Sequence, residues 1–85
     1  LNSMLFGFDC DLENLQGYSV IAVKQVYDDF EGCDFDKKII FTDDTYVVCN
    51  TYSYTYSYMP KAIILGNGFD YKMCVNDRLY SIRLQ

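Results

Sequence analysis

The run YKMCVNDRLYSIRL, residues 71–84, reads outward in both directions from the Asn76-Asp77 pair. Asn and Asp tolerate the positive φ angles that a tight hairpin turn demands. With that pair at the tip, Tyr71 faces Ile82, Met73 faces Tyr80 and Lys72 faces Ser81. One side of the pair is then apolar throughout and the other carries the polar residues. A one-residue slip would put the apolar set into water, so turn chemistry and side-chain pattern specify the same register. The stretch predicts two antiparallel strands, 71–75 and 78–84, over a core.

Period-two patterning extends upstream. Residues 61–65 form a strand that ends at the turn Gly66-Asn67-Gly68, and Pro60 closes off a strand over 50–58, because proline cannot donate to a ladder. Strands 38–42 and 45–49 make a second hairpin. A two-residue turn at Asp43-Asp44 sets Phe41 opposite Tyr46, Ile40 opposite Val47 and Ile39 opposite Val48. Residues 18–27 are the longest apolar run; Val20-Ile21-Ala22-Val23 is apolar on both faces, which predicts a central strand. Residues 28–36 read as a loop. At the N-terminus, 4–8 reads as a short strand and 10–16 as one or two helical turns. Those turns have Asp9 or Asp11 as cap, Leu12 and Leu15 on one face, and Gly17 at the end. Leu1-Asn2-Ser3 read as extraneous residues ahead of Met4. The expectation is a single domain over 1–85, mainly β with six or seven strands in a small bent antiparallel sheet or barrel. Counting the short helix makes it α+β.

The chain has 85 residues, 51% of them hydrophobic, and a net charge of −5 from twelve acids and seven bases. Nucleic-acid binding and attachment to anionic membranes both rest on clustered Lys and Arg, so neither is expected here. With no histidine, no Ser-His or Cys-His pair and no ordinary near-neutral base exists, and the expectation is a protein that is not an enzyme. No metal and no cofactor are expected. Cys10, Cys33, Cys49 and Cys74 contain no C-x-x-C pair, and four cysteines allow three pairings that sequence cannot separate. No secretion signal is visible, so the expectation is cytoplasmic localisation with free, buried thiols.

Two stretches are candidates for function. In TYSYTYSY, residues 51–58, alternation gives one strand face Tyr52, Tyr54, Tyr56 and Tyr58 and the other face hydroxyl residues. The tyrosines either roof the core or form a contact surface, for which tyrosine supplies rigid area and a hydroxyl at low entropy cost. Asp28, Asp29, Glu31, Asp34 and Asp36 crowd five acids into nine residues. A calcium loop fails on spacing: Gly32 at the loop's glycine position puts Tyr27 first and Lys38 last, where carboxylates belong. The acids read as a solvated loop or as a patch for a basic partner. The expected function is an acidic protein-interaction module, an inhibitor or adaptor of a larger protein. The alternatives are a barrel binding a small molecule between Tyr and Phe side chains, or a homodimer joined through the tyrosine strand.

Asn14-Leu15-Gln16-Gly17-Tyr18-Ser19-Val20, followed by Lys38-Ile39-Ile40-Phe41-Thr42-Asp43-Asp44-Thr45-Tyr46-Val47, resembles a phrase of small uncharacterised SH3-like β-barrel proteins of mobile elements, of the integron-cassette or phage-accessory type. Asp44 stands where that phrase has a turn glycine, and the Tyr-Ser/Thr strand lies outside it. The resemblance implies an SH3-like barrel and a mobile-element origin, and it carries over no functional residues.

Overall fold

The computed structural model describes Cys10 and residues 16–84. Those residues form eight strands: β1 (Ser19–Gln25), β2 (Asp29–Cys33), β3 (Lys38–Ile40), β4 (Tyr46–Cys49), β5 (Ser53–Tyr58), β6 (Lys61–Gly66), β7 (Tyr71–Val75) and β8 (Arg78–Leu84). No helix occurs among the described residues. The expected helical turns at 10–16 and the expected strand at 4–8 lie outside the described residues, apart from Cys10 and Gln16.

Six strands make one antiparallel sheet in the order β1-β6-β7-β8-β4-β3. The sheet curls until its two outermost strands meet just beyond their ends. Val26 bridges Phe41, the Tyr27 N–H donates to the Ile40 carbonyl at 2.9 Å, and the Thr42 N–H donates to the Gln25 carbonyl at 2.9 Å. The sheet is thus a half-barrel tied at one end. β2 and β5 form a separate two-stranded ribbon. The ribbon continues the β1–β6 pair past a bend at residues 26–28 and at Met59-Pro60, where Met59 takes a φ of 46°.

Inside the curl lies one cluster of buried side chains that includes Val26, Phe30, Phe41, Met73, Val75, Tyr80 and Ile82. Each such aliphatic or aromatic burial is worth about 1.5–3 kcal/mol. Phe30 reaches in from the ribbon and meets Tyr80 edge-to-face, with ring centroids 5.5 Å apart. The Tyr80 hydroxyl is buried and has no hydrogen-bond partner among the described residues, and burial pushes its phenol pKa up. A smaller cluster of Cys10, Leu65 and Cys74 packs with Tyr18, Ile63 and Leu79; Cys74 lies between the inward Met73 and Val75, so alternation puts this cluster on the opposite face of the sheet.

The β7–β8 hairpin has the expected register: Tyr71 pairs with Ile82, Lys72 with Ser81 and Met73 with Tyr80. Asn76 and Asp77 both have positive φ, at 49° and 70°, which matches the right-handed strand twist. The β3–β4 hairpin is displaced by one residue from expectation, pairing Ile40 with Tyr46, Ile39 with Val47 and Lys38 with Val48. Asp44 sits in the left-handed region at φ 71°, while the Phe41 N–H donates to the Thr45 carbonyl. The connection is therefore a three-residue loop, and the extra residue moves every pair.

Three further expectations are corrected. Residues 29–33 of the supposed acidic loop are a strand; its acids take the solvent side while Phe30 and Cys33 take the core side. β1 is the outermost strand rather than a central one, and Val20, Ile21 and Val23 are exposed. The thiols are not free: Cys10 bonds Cys74 and Cys33 bonds Cys49, with Cα–Cα separations of 6.3 and 5.6 Å.

These bridges span 64 and 16 residues of chain, and closing loops of that order removes about 3–4 kcal/mol of unfolded-state entropy each. The denatured, unreduced protein is therefore expected to show essentially no free thiol in an Ellman titration, rising to four after reduction. Four thiols before reduction would contradict the pairing.

A candidate interaction face of tyrosines and carboxylates

The faces of the ribbon follow from Phe30 and Cys33, which both point inward although they are three residues apart. Strict alternation forbids that, so the β2–β5 ladder must be irregular between them. The register shift falls between Phe30 and Gly32: Asp29 pairs with Tyr58, Phe30 with Ser57, Gly32 with Tyr54 and Cys33 with Ser53. Gly32 adopts φ +89°, and a Cβ there would lie 2.0 Å from the Ser53 carbonyl oxygen. Across the shift Thr55 and Tyr56 of β5 oppose Glu31 alone, so β5 carries the extra residue, and only glycine fits at position 32.

The partners of Phe30 and Cys33 are inner-face residues, so Ser53, Thr55 and Ser57 are the half-buried side of β5. The tyrosines point out. Tyr52, Tyr54, Tyr56 and Tyr58 are 64%, 67%, 56% and 69% exposed. Of the two arrangements open from sequence, this is the reverse of a tyrosine roof over the core: small hydroxyl residues lie beneath the strand and the phenols form its outer surface.

The fold brings two of the five acids onto the same surface. Asp29 lies opposite Tyr58, and the Tyr56 hydroxyl donates to Asp29 Oδ1 at 3.0 Å. That bond, with the negative charges of Asp29 and Glu31 adding to it, raises the Tyr56 pKa above the usual phenol value. Glu31 stands opposite Thr55 and Tyr56 at the register shift, and Asp28 is exposed at the bend. Asp34 and Asp36 belong to the β2–β3 turn instead. Asp34 Oδ1 accepts the Phe35 N–H, and Asp36 is held by Arg83 Nη2 at 2.6 Å.

A second cluster escapes a sequence reading because Lys24 lies on β1 while Asp43 and Thr45 lie in the β3–β4 loop. Lys24 Nζ of β1 donates to Asp43 Oδ2 at 2.5 Å and to Thr45 Oγ1 at 3.0 Å, clasping the β3–β4 loop. Lys24 and the two Thr45 donors hold the Asp43 carboxyl well below the usual carboxylate range. Beside the clasp, Ile21, Lys24, Phe41, Tyr46, Ile64 and Leu84 border an open cleft of about 210 Å³. A second open groove, of about 420 Å³, lies on the clasp itself between Val23, Gln25, Thr42 and Lys61, and the ladder tyrosines border neither.

Comparison of the chain with protein-family models, curated proteins and solved structures finds no match. The face must be read from its own chemistry.

The Asp43 carboxyl has a folded-state pKa below its unfolded value of 3.8, so its contribution to stability is full at neutral pH and declines as pH falls below that value. Asp43→Asn is expected to lower the melting temperature at pH 7, with the gap to the parent narrowing in acid. A gap that stays constant between neutral pH and pH of about 2 would contradict the ion-pair account.

Proposed function

We propose that the protein is a non-enzymatic interaction module that acts as an inhibitor or adaptor of a larger protein, with the β5 face as its contact surface. The carrying observation is that Tyr54, Tyr56 and Tyr58 are exposed on one face of β5, with Tyr52 exposed just ahead of the strand. Exposed large aromatics on a monomer surface are characteristic of binding sites, and tyrosine is among the residue types that anchor them. The carboxylates beside the ladder supply steering charge. The half-buried Ser/Thr row supports this reading, because the rings are then not required for the core and their side of the strand is available to a partner. The two cystines favour an oxidising compartment over the cytoplasm, where thiols are kept reduced.

The test is Tyr54→Ser/Tyr56→Ser. Two exposed substitutions should shift the melting temperature by no more than about 8 °C. The same change should weaken partner capture or self-association by about 2 kcal/mol or more, since truncated aromatic anchors commonly cost that much. Sedimentation, melting and capture from the native host read all three. A folded variant with the parent's oligomeric state and the same captured partners would overturn the proposal.

A further inference from the structure

We infer that the occupant of the tyrosine face is an extended, cationic segment of another protein with Lys or Arg at alternate positions; this rests on the interaction reading above. Ladder residues recur at every second position of a strand that rises 3.3–3.4 Å per residue, so successive rings stand about 6.7 Å apart. A second extended chain repeats on the same distance, and its alternate side chains then fall one to a ring. Ring faces attract ammonium and guanidinium groups. The described residues already make this contact within the chain, where Lys38 Nζ lies 4.7 Å from the Tyr46 ring centroid.

Charge selects the same occupant. Asp29 and Glu31 share the surface with the rings, and Asp28 adjoins it. Three of the chain's bases are engaged elsewhere: Lys24 on Asp43, Arg83 on Asp36 and Lys38 over Tyr46. A second copy docked face to face would bring these carboxylates against their counterparts, and a nucleic acid would bring phosphates against them. A cationic strand meets carboxylates and rings together, with the Tyr56–Asp29 bond fixing one carboxylate at the edge of the ladder.

The experiment uses the full chain and three labelled heptapeptides, followed by fluorescence anisotropy at low and high salt. One alternates Arg with Thr, one has the same composition with its arginines contiguous, and one has Glu in place of Arg. The alternating peptide is expected to bind about fivefold tighter than the contiguous one, and the Glu peptide not at all. Its affinity should fall with salt. Tyr54→Ser/Tyr56→Ser should lose about tenfold, Tyr54→Phe/Tyr56→Phe should retain binding, and Asp29→Asn/Glu31→Gln should flatten the salt dependence, each variant melting as a folded protein. Equal binding of the two arginine arrangements, or no binding of either by the folded parent, overturns the inference. The broader reading falls separately, only if Tyr54→Ser/Tyr56→Ser keeps the parent's captured partners.

Discussion

The fold's outer surface is decided by where one ring goes. Phe30 is 1% exposed and packs edge-on against Tyr80 in the centre of the half-barrel. Because strand side chains alternate, an inward Phe30 fixes the faces of β2, and the register Phe30–Ser57 passes that choice to β5. The left-handed backbone of Gly32 at the register shift lets Cys33 return to the inner face after an odd step, which puts its sulfur within reach of Cys49. Phe30, Gly32 and the Cys33–Cys49 bridge thus act as one unit that lays the ribbon on the core with its hydroxyl side down. The exposed tyrosines are the consequence.

That arrangement suits a small domain with little core to spare. A chain of this length buries about 60–65% of its unfolded surface, so cross-links add stability that hydrophobic burial alone supplies thinly. One cystine ties the ribbon to β4, and the other ties Cys10 to β7 across the opposite face of the sheet. The seam between β1 and the β3–β4 loop is closed differently, by backbone bonds around Val26 and by the Lys24–Asp43 clasp. Where the clasp ends, β1 presents Val20, Ile21 and Val23 outward, so its apolar side chains serve an edge rather than a centre.

The β7–β8 hairpin could be read residue for residue, because turn chemistry and face pattern are both local and both point to one register. The β3–β4 hairpin was legible as a hairpin, but its register turned on whether Asp44 adopts a positive φ, which local sequence leaves open. β2 was hidden because acids dominate its composition; one buried face of Phe30 and Cys33 suffices for a strand when the other faces water. β1 was misplaced because apolarity on both faces signals burial without saying what provides it. The cystines were missed because no secretion signal is visible, which reads as a reducing compartment, and three pairings fit four cysteines equally. For the candidate face, alternation revealed the tyrosine ladder, but two-fold periodicity is blind to which face is inner. The answer lay in Phe30 and Gly32, far away in sequence, as did the pairing that brings Asp29 and Glu31 to the ladder while leaving Asp34 and Asp36 in a turn.

Native-state nitration of tyrosine, mapped by mass spectrometry, tests the inward Phe30 and outward ladder most directly. Nitration needs reagent to reach the ring, so Tyr52, Tyr54 and Tyr58 should be modified readily while Tyr80 stays unmodified until the protein is unfolded. A protected ladder with a reactive Tyr80 would show that the ribbon lies on the core by its other face, and the account would be wrong at its root.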